Sequence, residues 1–353
     1  MSPSVPEAAG RARRVAAWVA VHRRTMPSRE DRPKTLVQAE PIGTAQPRGA
    51  NAAQATLQIE LGDHGCRHPA AFCGRAVENR GVELADVPVR DVRPLLTEER
   101  GDFLTLLASL GDADWAMPTE AGRWTVKDVA LHLLDDELGW LSRGRDNDPS
   151  GLLDDTGDYR QFVAALDAKT QRWVDGASGL SHRVLQDLLA WSGQQVDHYY
   201  ASLNLREPSR VIWAGPGPVP LWFDLARDFT ERWVHQQQIR DAVRVPGGHD
   251  RFLPAVLQTF VWAFPYQYRP EAAPETTVQL DFGRTGGSWF LTRDAARWVL
   301  DEGTAPTPAA TLRMAPQTAW RQLTGLPVSA GEYATEGDDR LIRPLLDVRS
   351  IIV

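Results

Sequence analysis

The chain has 353 residues, with 39 Lys and Arg against 46 Asp and Glu, for a net charge of -7. That balance excludes the basic face that nucleic acid or an anionic membrane would need, and leaves a small-molecule partner as the expectation. At 42% apolar and 24% charged residues the composition is that of a soluble globular protein, long enough for two domains. Lys34, Lys127 and Lys169 are its only lysines, a bias that reflects a GC-rich coding sequence more simply than any arginine chemistry.

Residues 1–84 are rich in Pro, Arg, Gly and Ala without a sustained helical or strand period, and read as a disordered leader. Its stretch "RARRVAAWVAVHRRT" has arginines on both sides of a short apolar run, a poor signal peptide and too short a span for a membrane. Cys66 and Cys73 are the only cysteines, so no disulfide framework holds the fold and the chain suits a reducing cytoplasm. With His64 and His68 nearby they invite a zinc reading, but the spacing fits no standard zinc module and an unstructured leader is preferred.

Order is expected from "VRDVRPLLTEERGDFLTLLASL", where Val92, Leu95, Leu96, Phe103, Leu104, Leu107 and Leu110 recur at near-helical spacing and Gly101 marks a possible break. In "WTVKDVALHLLDDELGWLSRG" Thr125 and Asp128 form a capping-box pattern, Val126, Val129, Leu133, Leu134, Leu138 and Leu141 a buried stripe, and Gly144 the exit. "YRQFVAALDAKTQRWVDGA" and "SHRVLQDLLAWSGQQVDHYYASL" are two further helices, the second capped by Ser181. After "AGPGPVP" the longest helix, "LWFDLARDFTERWVHQQQIRDAVRVPGG", runs to Pro246 and two glycines, and "FLPAVLQTFVWAF" adds another at its side. Beyond Pro270, "TTVQLDF", "SWFLT", "RWVLDEG" and "ATLRMA" read as strands, followed by a helix in "PQTAWRQLTGL" opened by Pro316 and closed by Gly325. The expected fold class is α+β and multidomain: an up-and-down helical bundle over 85–268, then a small α+β domain with a mainly antiparallel sheet over 269–353.

Glu231 and His235, four apart on the longest helix, lie one turn from each other and can reach one ion. The same face carries Asp224, Asp228 and Gln238 beside an apolar stripe of Leu225, Phe229 and Trp233, so the simplest alternative is a solvated edge. A third ligand must come from another helix, and His132, mid-helix in "DVALHLL", is the candidate. Two imidazoles and a carboxylate suit Zn²⁺ with one position open, although non-haem iron uses the same set. His198, in "VDHYYASL", reads first as a packed or surface residue. Trp115, Trp124, Trp140, Trp173 and Trp233 read as core and staple residues before ligand platforms. "GRTGG", at 283–287, lies between strands without a following helix and reads as a hairpin turn, not a phosphate loop; no G-x-S-x-G elbow occurs.

The segments "WTVKDVALHLLDDELGWLSRG", "FTERWVHQQQIRDAVRVPG" and "PQTAWRQLTGL" resemble the mycothiol-dependent maleylpyruvate isomerase family, from about Ala85 to the C-terminus. The resemblance implies a DinB-like four-helix bundle followed by a sterol-carrier-protein-like domain. It also implies a divalent metal, usually zinc, on His132, Glu231 and His235, and mycothiol, a small thiol of high-GC bacteria, as thiol cosubstrate. The function implied is a zinc-dependent, mycothiol-using isomerase or thiol S-transferase acting on a small electrophile. An arginine of the C-terminal domain is expected to hold substrate carboxylates, with Arg284, Arg293 and Arg297 as candidates. The rival from another class is a non-catalytic DinB-like metal or small-molecule binding protein, in which a fourth side chain such as His198 or Asp228 closes the site. A hydrolase with Glu231 as base would require that glutamate to be free of the metal.

Overall fold

The protein is described from a computed structural model, over residues 84–153, 159–215 and 217–350. The leader, with Cys66, Cys73, His64 and His68, lies outside the described residues.

Helix α1, Arg93–Ser109, starts with Pro94 in its first turn, where a missing N–H costs nothing. Gly101 does not break it: Leu96, Phe103, Leu106 and Leu107 continue one buried stripe across it, and that packing outweighs a glycine cost of about 1 kcal/mol. Helix α2, Val126–Gly139, opens on the expected capping box, with Thr125 N–H donating to Asp128 Oδ2 at 2.9 Å and Asp128 N–H returning to Thr125 Oγ1. It does not run straight to Gly144. At Gly139 the backbone widens into a π-helical turn, Trp140–Arg145, closed by Asp146 N–H on the Leu141 carbonyl.

Helices α3, Tyr159–Ala177, and α4, His182–Ser202, follow, with Ser181 capping α4 as expected. Helix α5, Leu221–Val243, ends where Arg244 turns left-handed at φ 57°. Helices α1 and α2 each pack against α4 and α5, and α3 lies along α2.

Helix α5 corrects one expectation. Its polar face is not solvated: Asp228 and His235 are each 3% exposed and Gln238 is fully buried, so the helix is enclosed on nearly all sides. The charges are tolerated because they meet partners. At the bundle centre Arg232 donates to Glu99 at 3.1 Å and to Glu137 at 2.8 Å, Arg100 donates to Glu137 and Asp197, Ser192 donates to Glu137, and Gln236 donates to Glu99. This buried network ties α1, α2, α4 and α5 together, which fixes how α5 is rotated against α2.

Helix α6, His249–Phe260, lies between α5 on one side and the C-terminal helix α7, Pro316–Leu323, on the other. The sheet has strands β1 Thr277–Asp281, β2 Ser288–Arg293, β3 Trp298–Glu302, β4 Ala310–Met314 and β5 Tyr333–Gly337, in the order β3-β2-β1-β4-β5. All neighbours are antiparallel except β1 and β4. "GRTGG" does connect two antiparallel strands, through a short helical turn at Gly283–Gly286. Strand β5 escaped the sequence reading because it is an exposed edge of polar residues without alternation. It ends at Gly337, φ 97°, where a Cβ would stand 2.2 Å from the Ala309 carbonyl oxygen.

One hydrophobic core runs from Leu96, through Phe229, Trp233 and Phe260, to Leu280 and Trp298. Among the described residues no helix is long and apolar enough to cross a membrane.

Candidate metal centre

The three predicted ligands converge. His132 from α2 brings Nε2 to 3.3 Å from Glu231 Oε1, and His235 brings its own Nε2 to 3.1 Å from the same oxygen. One donor atom from each of the three lies within 4.8 Å of the others, and all three side chains are buried. The helices explain the meeting: Glu231 and His235 share a face of α5, and the Arg232–Glu137 ion pair on the neighbouring turns holds α5 against the helix that carries His132.

The donor chemistry fits a divalent ion. His235 Nδ1 lies 2.7 Å from Gln238 Oε1, an atom that can only accept. Nδ1 therefore keeps its hydrogen for Gln238, which leaves Nε2, the nitrogen that faces Glu231 Oε1, as the one an ion would bind in place of a proton. His132 Nδ1 is buried with no partner among the described residues, so nothing there opposes ligation through Nε2. The Trp124 ring leans on both imidazoles, with centroids 5.1 Å from His132 and 6.3 Å from His235.

The centre concentrates negative charge. Burial works to lower the His132 pKa, but the charge of Asp136 and the hydrogen bond to Glu231 outweigh it and push the imidazole up to about 9. Burial would raise Glu231, yet its bonds to His132 and His235 hold the carboxylate well below its ordinary range. Asp136, whose Oδ2 lies 3.6 Å from His132 Nε2, is raised by burial and by Glu231 and Asp228, against the pull of His132.

A cavity of about 1130 Å³ opens onto the triad, walled by α2, the π-turn, α3, α5 and the 121–124 loop. Trp124 and Trp140 line it, so these two are wall residues as well as packing residues, whereas Trp115 and Trp233 belong to the core. Asp228 also lines it, but both its oxygens are engaged, by Trp140 Nε1 at 3.0 Å and Tyr200 Oη at 2.9 Å. His198 is exposed on α4 and is not among the lining residues.

The C-terminal arginines stand elsewhere. Arg284 is in the β1–β2 turn, Arg293 ends β2 and donates to the Asp294 carbonyl, and Arg297 sits 3.9 Å from the Asp294 carboxylate; none lines the cavity. Asp136, Gly139 and Arg143, none of them among the expected site residues, do line it. Their signal was present: they follow His132 at four, seven and eleven residues, one face of a helix.

No curated protein matches the chain. Among solved structures, a mycothiol-dependent maleylpyruvate isomerase is 12% identical, with a TM-score of 0.48 over 72% of this chain and 95% of that one. A histidine-to-alanine mutant under the same name is 13% identical, with a TM-score of 0.45 and the same coverage. The family model described as the mycothiol maleylpyruvate isomerase N-terminal domain matches residues 96–240. That stretch, less than half of the chain, holds His132, Glu231 and His235.

Proposed function

We propose that the protein is a zinc-dependent, mycothiol-using isomerase or thiol S-transferase that acts on a small electrophile in the cytoplasm. The observation that carries this reading is the aim of two imidazole Nε2 atoms at one carboxylate oxygen, at the wall of a cavity large enough for a thiol and a second substrate. His132, Glu231 and His235 would hold the ion. When bound there, zinc would lower the pKa of a thiol presented to it and supply a thiolate at neutral pH.

The chain's own groups do the rest. Gln238 keeps His235 in the ligating tautomer. Trp124 packs over both imidazoles and keeps water from that side. Asp136 Oδ2, 3.6 Å from His132 Nε2, stands close enough to the centre to take a proton from an incoming thiol. A purely structural metal would be closed by a fourth side chain. The two candidates for that role are otherwise disposed: Asp228 is engaged by Trp140 and Tyr200, and His198 is exposed.

The test is metal content by mass spectrometry for wild type and His235→Ala, followed by calorimetry with mycothiol and turnover of maleylpyruvate. Near-stoichiometric zinc, lost in the variant, with mycothiol binding that needs the metal, is expected. Zinc binding without any mycothiol binding would favour the non-catalytic rival. Wild-type protein that cannot be loaded with a divalent metal would sink both.

A further inference from the structure

Arg143 stands in the cavity wall on the π-turn that follows α2. It is half-buried, and among the described residues its guanidinium has no hydrogen bond or ion pair. The other arginines of the wall are committed or peripheral: Arg227 is paired with Asp224 at 3.4 Å, Arg123 donates to Gln171, Arg210 has a partner, and Arg172 is exposed.

Gly139 makes room for Arg143. Its side chain folds back one turn onto Gly139, where a Cβ would meet Nη2 at 2.6 Å and Nη1 at 2.7 Å. Only a residue without a side chain leaves that space. The π-turn makes the arrangement deliberate in form, since such bulges recur at functional sites.

Position along the helix gives the guanidinium a use. Gly139 lies seven residues beyond His132 on the same face, about 10 Å along the axis, a gap that a short-chain acid bridges. An acid entering this cavity is thereby oriented, with its anionic end at Arg143 and its reactive carbon toward the metal ligands.

We propose that Arg143, seated on Gly139, receives the carboxylate of the electrophilic substrate and so selects for acids. The proposal rests on the functional reading above in taking this cavity as the substrate's. Its test needs no turnover: calorimetry of the full chain with maleate and with its neutral twin, dimethyl maleate. Wild type should bind maleate in preference to the ester.

Arg143→Met should bind maleate roughly tenfold to a hundredfold more weakly, with dimethyl maleate unaffected, and Arg143→Lys should recover part of the loss. Gly139→Ala keeps the charge but takes the guanidinium's seat, and should weaken maleate too. That change displaces only the end of a flexible side chain, so near-UV circular dichroism and zinc content should match wild type. Equal maleate affinity in wild type and either Arg143→Met or Gly139→Ala overturns the proposal, as does a wild type that binds the ester as well as the acid, or neither. Failure to bind zinc or mycothiol is read separately, and sinks the functional reading without touching the maleate result.

Discussion

His132 keeps its proton up to about pH 9 in the metal-free chain, and metal must displace that proton. Because its folded pKa lies above the ordinary 6.5, the contact with Glu231 stabilises fully below pH 6.5 and is lost as the pH rises through about 9. Glu231 has the opposite sign: its contribution is present above its ordinary 4.5 and is lost as the pH falls through its depressed folded value. Metal-free protein should therefore draw most from this pair between about pH 4.5 and 6.5. Zinc-loaded protein should gain as protons leave. Melting temperatures of the two forms from pH 6 to 9 should diverge steadily, and calorimetry in buffers of different ionisation enthalpy should show proton release on zinc uptake; parallel curves would contradict the coupling. Gln238 acts on the same centre through the His235 Nδ1 hydrogen. Gln238→Leu should weaken zinc binding by about tenfold to a hundredfold with little loss of fold, as read by competition with a chromophoric chelator.

The buried Arg232–Glu137 pair joins the helix that carries His132 to the helix that carries Glu231 and His235. Removing Glu137 takes from Arg232 and Arg100 the carboxylate they share at the bundle centre. Glu137→Leu should cost about 3–5 kcal/mol in denaturant unfolding, and should lower zinc affinity although residue 137 touches no ligand. If zinc affinity is unchanged in the folded fraction, the network stabilises without positioning. The capping box at Thr125 and Asp128 and the Ser181 cap were legible in the sequence, because capping is a local geometry between residues three apart. The continuity of α1 through Gly101 was not, since it depends on what Phe103 and Leu107 pack against.

The helical half and the sheet share one core. Trp233 of α5 packs edge-to-face on Trp320 of α7 at 5.3 Å, and Phe229 packs on Phe252 of α6. Arg321 bridges Glu120, beside the loop that carries Trp124, and Asp241 of α5. A chain ended after residue 268 would expose this face of α5 and α6. It should aggregate or lose near-UV circular dichroism, as seen by size-exclusion chromatography; a monomer that melts cooperatively would show the bundle to be independent.

Which helices form, where they begin, and that His132, Glu231 and His235 could be ligands were determined by the sequence alone. Periodicity and capping are contacts between near neighbours, and the chain order already holds them. Only the tertiary structure decided that the polar face of α5 is buried, that the two histidines aim at one oxygen, and that Arg143 rather than a C-terminal arginine stands in the cavity. Those facts depend on how α2 and α5 are rotated against each other, and that angle is set by contacts such as Arg232–Glu137, 95 residues apart in sequence.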